Sequence, residues 1–66
     1  PVLKFARECV VTSRKISKGE IFSEENLTTK RPNTGQIPAK DYNKIIGKKS
    51  KTNIAFNKQL SIGDIL

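Results

Sequence analysis

A chain of 66 residues holds one domain, and at that size folding buries only about 60% of the surface the unfolded chain exposes. Thirteen Lys and Arg against six Asp and Glu give a net charge of +7, and the chain has no His, Trp or Met. A single cysteine, Cys9, excludes an internal disulfide and leaves no thiol–imidazole set for zinc or iron.

Without His, general acid or base work would fall to the six carboxylates or to a lysine of lowered pKa. Glu24 and Glu25 are adjacent and do not face one another, so no carboxylate pair is placed for chemistry by spacing. An independent small enzyme is therefore disfavoured. No stretch approaches the roughly 18 uninterrupted apolar residues of a transmembrane helix, and the cysteine usage fits a reducing cytoplasm. Pro1 in place of an initiating Met reads as a segment cut from a longer polypeptide.

The positive charge draws any polyanion, which makes nucleic acid a partner to weigh. The basic residues, however, run from Lys4 to Lys58 and are dense only at Lys48, Lys49 and Lys51. Phe5, Phe22, Tyr42 and Phe56 are scattered and form no stacking platform of the kind single-strand binders use. A solvated basic face is the simpler reading, and nucleic acid is not the expected partner.

In chain order, Cys9 to Ser13 is the first expected strand, since Cys, two valines and Thr suit a pleated surface. Cys9 itself reads as a small buried hydrophobe. Lys18-Gly19 turns the chain, and Ser23 caps a short helical turn in which Asn26 replaces the Glu of a full capping box. Leu27 to Lys30 is a second strand. Arg31 to Pro38 is a loop with Pro32, Asn33, Gly35 and Pro38 in eight positions. Pro38 to Ile46 is the one expected helix, with Gly47 as its left-handed terminus and Tyr42, Ile45 and Ile46 as a core-packing stripe. Lys49 to Ile54 is a further candidate strand, and Gln59-Leu60 a last extended piece.

The segment from Ile16 to Leu27 aligns with that from Ile54 to Leu66 after one inserted residue. Each half has an Ile, a basic turn, an apolar residue, a polar helical turn and a closing Leu. Such self-similarity predicts a pseudo-twofold fold whose halves must pack on each other. The expected class is mostly β: a small irregular β-clip with short strands, one short helix and helical turns.

Three stretches carry a resemblance to a known family. They are Lys15 to Ile21 with Glu24-Glu25-Asn26-Leu27 behind it, Thr29 to Gly35 with its Lys30-Arg31-Pro32 core, and Ile46-Gly47-Lys48. Together they resemble the antifreeze-like, or SAF, domain at the C-terminus of N-acetylneuraminate (sialic acid) synthases and related nonulosonic acid synthases. The resemblance implies residues 1–8 as a linker from an upstream catalytic barrel, and residues 9–66 as the SAF domain. It implies that a (β/α)₈ barrel outside this chain condenses phosphoenolpyruvate with N-acetylmannosamine or a related hexosamine, using a divalent metal, Mn or Mg, held by the barrel. No cofactor is expected in the domain itself.

By the same resemblance, the domain of one subunit of a domain-swapped homodimer caps the partner subunit's barrel, and the arginine of the Lys-Arg-Pro loop donates to the N-acetyl oxygen of the sugar. That arginine is Arg31, with Lys30, Pro32, Asn33, Thr34 and Gly35 as loop support. A guanidinium suits the task because it is permanently charged and offers several coplanar N–H donors. Pro32 restricts the residue before it to extended geometry and so fixes where Arg31 leaves the backbone. The family commonly has Gly where this chain has Asn33; Asn tolerates positive φ, so Pro32-Asn33 is expected at the centre of a type II turn. The fold also serves flagellar and pilus assembly factors and the type III fish antifreeze proteins. With 29% charged residues, this chain lacks the uncharged face of an ice binder.

Overall fold

The computed structural model describes residues 7–66, so the expected linker, residues 1–8, lies outside the described residues except for Arg7 and Glu8. Two strands form, β1 at Cys9–Thr12 and β2 at Leu27–Lys30, paired antiparallel with Cys9 opposite Lys30 and Thr12 opposite Leu27. All four residues of β1 are buried, which explains why a Cys-Val-Val-Thr run forms the most central strand. No helix among the described residues is long and apolar enough to cross a membrane.

The rest of the order comes from isolated bridges that follow the internal repeat. Ile16 and Ile54 exchange both backbone hydrogen bonds at 2.8 Å and are buried together. Around this pair several bonds of one half have a counterpart in the other. Leu60 N donates to Val10 O at 2.9 Å and Phe22 N to Lys48 O at 2.8 Å; Thr12 N donates to Lys58 O and Ser50 N to Glu20 O, both at 2.9 Å. The two segments thus correspond residue for residue, Ile16 to Ile54 and Leu27 to Ile65. The insertion expected from sequence is unnecessary, because Ile65, not Leu66, packs against the core where Leu27 does.

The exchange is mutual: segment 57–60 lies along β1, while segment 47–50, the counterpart of β1, lies along 19–22. Neither half completes its own sheet. The core that results joins Val10, Ile16, Phe22, Leu27, Ile37, Ile45, Ile54 and Leu60, with Phe22 and Leu60 as equivalent, fully buried side chains. Burying each contributes about 1.5–3 kcal/mol. Gly19 (φ 86°) and Asn57 (φ 61°) occupy the same left-handed turn in the two halves.

The helical turns also repeat. Ser23 N donates to Asn26 Oδ1 at 2.8 Å, and Ser61 N donates to Asp64 Oδ2 at 3.0 Å. Asn26 therefore does what the Glu of a capping box would do, contrary to the expectation that this half of the box is missing. It is buried and its amide also donates to Glu20 Oε2 at 3.1 Å and Ile21 O at 3.0 Å. Asp64, likewise buried, holds Lys58 at 3.1 Å. Among the described residues every buried side-chain nitrogen and oxygen has a hydrogen-bond partner.

The helix is shorter than expected. Pro38 stays extended (ψ 157°) and caps it from outside, Ala39–Asp41 is a 3₁₀ turn, and the α-helical part, α1, is Tyr42–Ile45. Its start is pulled toward the sheet by the bond from Ala39 N to Glu8 O at 3.0 Å, and it ends at Gly47, whose φ is 93°. Tyr42, Ile45 and Ile46 do pack on the core. The candidate strand 49–54 is reduced to bridges at Lys49, Ser50 and Ile54, since each partner segment is only a few residues long.

Two outcomes follow from the caps. Asn26→Ala leaves the Ser23 N–H and Ile21 C=O without their partner and is expected to cost about 1–3 kcal/mol in denaturant unfolding. The Glu20 carboxylate accepts from Ser17 N at 3.0 Å and from Asn26, and these two bonds, the first the stronger, hold it below the usual carboxylate range, with a smaller pull from Arg14. A lowered carboxyl stabilises the fold above its unfolded value of about 4.3 and loses that contribution as pH falls through the lower folded value. Stability measured against pH is expected to drop across that acid window, and Glu20→Gln is expected to flatten the drop.

Candidate functional site

β2 ends at Lys30, and the chain leaves the sheet as the loop 31–36 before returning at Ile37, whose carbonyl accepts from Val10 N at 2.9 Å. Strand register places the side chains of Cys9, Val11, Thr28, Lys30 and Gln59 on the sheet face opposite Val10, Leu27 and Leu60. The loop closes over that face. Gly35 sits so near that an added Cβ would come within 3.1 Å of Cys9 Sγ and 3.2 Å of Gln59 Cβ.

Four contacts tie the loop down. The Cys9 thiol, fully buried, donates to Pro32 O at 3.4 Å. Gln59 Nε2 donates to Thr34 Oγ1 at 2.8 Å. Gln36 Oε1 accepts from Ile62 N at 2.9 Å. Lys30 Nζ donates to Asn57 Oδ1 at 2.7 Å, crossing β1 to reach the second half of the chain. Arg31 is exposed like the residues on either side of it, but it has no hydrogen bond or ion pair among the described residues.

The expected type II turn does not form. Asn33 lacks the positive φ it requires, and the Arg31–Pro32 peptide bond is cis. Anchors outside the loop hold it, at Cys9 and Gln59, and Asn57 holds Lys30 at its entrance. Asn33 faces a groove between β2 and the helical segment, which it lines with Thr29, Pro38, Lys40, Tyr42 and Asn43. At the groove's edge Tyr42 Oη donates to Leu27 O at 3.3 Å, and burial, with Glu24 nearby, pushes its phenol pKa up.

Of the residues singled out from sequence, Arg31, Pro32, Asn33, Thr34 and Gly35 lie on one loop and Lys30 ends the strand that leads into it, but three of their supports were missed. Asn57, Gln59 and the thiol of Cys9 meet the loop only after the halves interlock. The one local signal was Asn57 in a turn, matching Gly19 of the first half. Lys48, Lys49 and Lys51 are exposed, but they lie on the counterpart of β1 with Ile21 and Leu66 as backbone neighbours, and no bond or bridge among the described residues links them to Arg31. No three His, Cys, Asp or Glu side chains are grouped to hold a metal among the described residues.

An interlocked pair of β-turn-helical-turn halves bearing one anchored loop is the SAF architecture, and the SAF domain pattern matches residues 7–66; the chain belongs to the SAF domain family. It is 45% identical over 60 residues to a pseudaminic acid synthase of Campylobacter jejuni subsp. jejuni, covering 91% of this chain and 17% of that protein. It is 50% identical over 46 residues to an N,N'-diacetyllegionaminic acid synthase of the same organism, covering 70% of this chain and 14% of that protein. Among solved structures, the spore coat polysaccharide biosynthesis protein spsE of Bacillus subtilis matches 98% of this chain with a TM-score of 0.80 at 26% identity, this chain covering 19% of it. The flagellar protein FlgA of Thermotoga maritima matches 89% with a TM-score of 0.76, also at 26% identity, this chain covering 24% of it. The chain therefore corresponds to a SAF domain of the sialic-acid-like synthase type and spans a small part of each of these proteins.

The tight seat of Gly35 supplies a test of the loop's anchoring. Gly35→Ala is expected to lower stability in thermal unfolding by about 1–3 kcal/mol through crowding of Cys9 and Gln59. Cys9→Ala in the same chain is expected to restore part of the loss by removing the sulfur.

Proposed function

We propose that this chain is the accessory SAF domain of a sialic-acid-like sugar synthase, and that it caps the active site of a barrel by placing Arg31 over the acceptor sugar. The observation that carries the reading is the contrast within the loop. Its neighbours are tied to the core or to the second half of the chain, while the Arg31 guanidinium is exposed and has no partner among the described residues. A surface arginine in a mobile turn spreads its charge over many positions; one on an anchored loop meets a bound group at a defined place.

On this reading the barrel, belonging to the partner subunit of a homodimer, condenses phosphoenolpyruvate with N-acetylmannosamine or a related hexosamine and holds the divalent metal. The name of one relative, an N,N'-diacetyllegionaminic acid synthase, favours a hexosamine with two acetylated nitrogens over N-acetylmannosamine itself. Arg31 donates to the acetamido oxygen and raises the positive potential near the anionic phosphoenolpyruvate. Lys30, held by Asn57, adds to that potential without competing for the oxygen. Cytoplasm is the compartment this reading assigns, where the thiol of Cys9 stays reduced.

The flagellar neighbour shares the fold, but the relatives at 45% and 50% identity are synthases, which favours the synthase reading over an assembly factor. Nucleic-acid binding rests on the charge alone. In the full-length protein carrying this domain, Arg31→Ala is expected to weaken use of the amino sugar by about 1.5–3 kcal/mol, the range for a charge-assisted hydrogen bond. The affinity for phosphoenolpyruvate is expected to change less. Steady-state kinetics on both substrates checks this, and an unchanged kcat/KM for the sugar removes Arg31 from the site.

A further inference from the structure

Asn57 lies in the half of the chain opposite the Arg31 loop, in a turn bonded to the central strand. Its N–H donates to Thr12 O at 3.0 Å, and Thr12 N donates to Lys58 O at 2.9 Å. The hydroxyl of Thr12, a residue with no exposed surface, donates to Ala55 O at 2.7 Å and accepts from Lys58 N at 2.9 Å. Thr12 thereby pins both sides of the turn to the central strand. The counterpart of Asn57 is Gly19, so the backbone there needs a residue that accepts a left-handed φ; Asn satisfies that need and also carries an oxygen. That oxygen meets Lys30 Nζ at 2.7 Å.

We propose that Asn57 is a positioning residue for Arg31: by holding the ammonium of Lys30, it fixes the direction in which the chain leaves β2 and keeps the neighbouring cation away from the site Arg31 serves. Two features favour this over a decorative surface bond. Lys30 is the last residue of β2 and directly precedes Arg31, so its side chain controls the loop's point of departure. The acceptor is a neutral amide, which restrains the lysine without cancelling its charge, so the positive potential of the Lys30–Arg31 pair is kept. The bond also crosses from one half of the chain to the other and makes the loop's aim depend on how the halves interlock.

The inference rests on the assignment of Arg31 to the acceptor sugar, and the test separates the two. In the full-length protein, Asn57→Gly keeps the left-handed turn and removes the oxygen; Asn57→Asp keeps an oxygen acceptor. Asn57→Gly is expected to raise the KM for the amino sugar about three- to tenfold, the effect of one lost hydrogen bond of ordinary net strength, with the KM for phosphoenolpyruvate little changed. Asn57→Asp is expected to hold the KM for the amino sugar near the parent value, because the lysine stays restrained, and to raise the KM for phosphoenolpyruvate, because the added carboxylate cancels the ammonium. In a Lys30→Ala background, Asn57→Gly is expected to have no further effect, because the two act through one contact. If Arg31→Ala raises the sugar KM but Asn57→Gly does not, or if Asn57→Asp loses as much as Asn57→Gly, the positioning role is overturned and the role of Arg31 stands. If Arg31→Ala also leaves the sugar KM unchanged, the assignment of Arg31 itself is overturned.

Discussion

The exchange of backbone hydrogen bonds between two half-chains is the constraint on which everything else in this domain depends. The first half offers one pair of short strands and the second only isolated bridges, each with one capped turn, too little to bury an apolar face. By lending segment 57–60 to β1 and segment 19–22 to 47–50, the halves complete each other around the Ile16–Ile54 pair. So small a chain has little core to spare, and the buried caps at Asn26 and Asp64 do work that a larger domain would leave to packing.

The same exchange builds the candidate site. Because segment 57–60 runs beside β1, Asn57 and Gln59 stand next to a loop that begins some 25 residues earlier in the chain, and each takes hold of one of its side chains. Cys9 holds the loop from beneath, through Pro32 and the close approach of Gly35. On the face around Lys49 that corresponds to the anchored one, Ile21 and Leu66 are exposed. The first half of the frame thus presents Arg31 on a tied loop, and the second supplies two of the ties.

Local features were legible from the residues alone. Leu27–Lys30 was readable as a strand because Leu-Thr-Thr suits a half-buried pleat, and Gly47 as a helix terminus because its position demands a left-handed φ. The repeat was legible too, and with it the pseudo-twofold architecture. Bridges such as Lys49 to Ile21 were not, since their partners are distant in sequence and too short to show a period of two. The turn at Pro32-Asn33 was misread for a related reason: composition indicates that a loop turns, while its conformation was decided by contacts from Cys9 and Gln59. The loop and its arginine were found through family resemblance, whereas the anchors required the fold.

The most direct measurement is a crystal structure of the full-length protein with its amino sugar bound. The account predicts the Arg31 guanidinium within about 3.2 Å of an acetamido oxygen, the distance of a hydrogen bond, with the Lys30–Asn57 contact intact. A sugar seated without any approach from this loop, or Arg31 turned away to pair within its own domain, would contradict it.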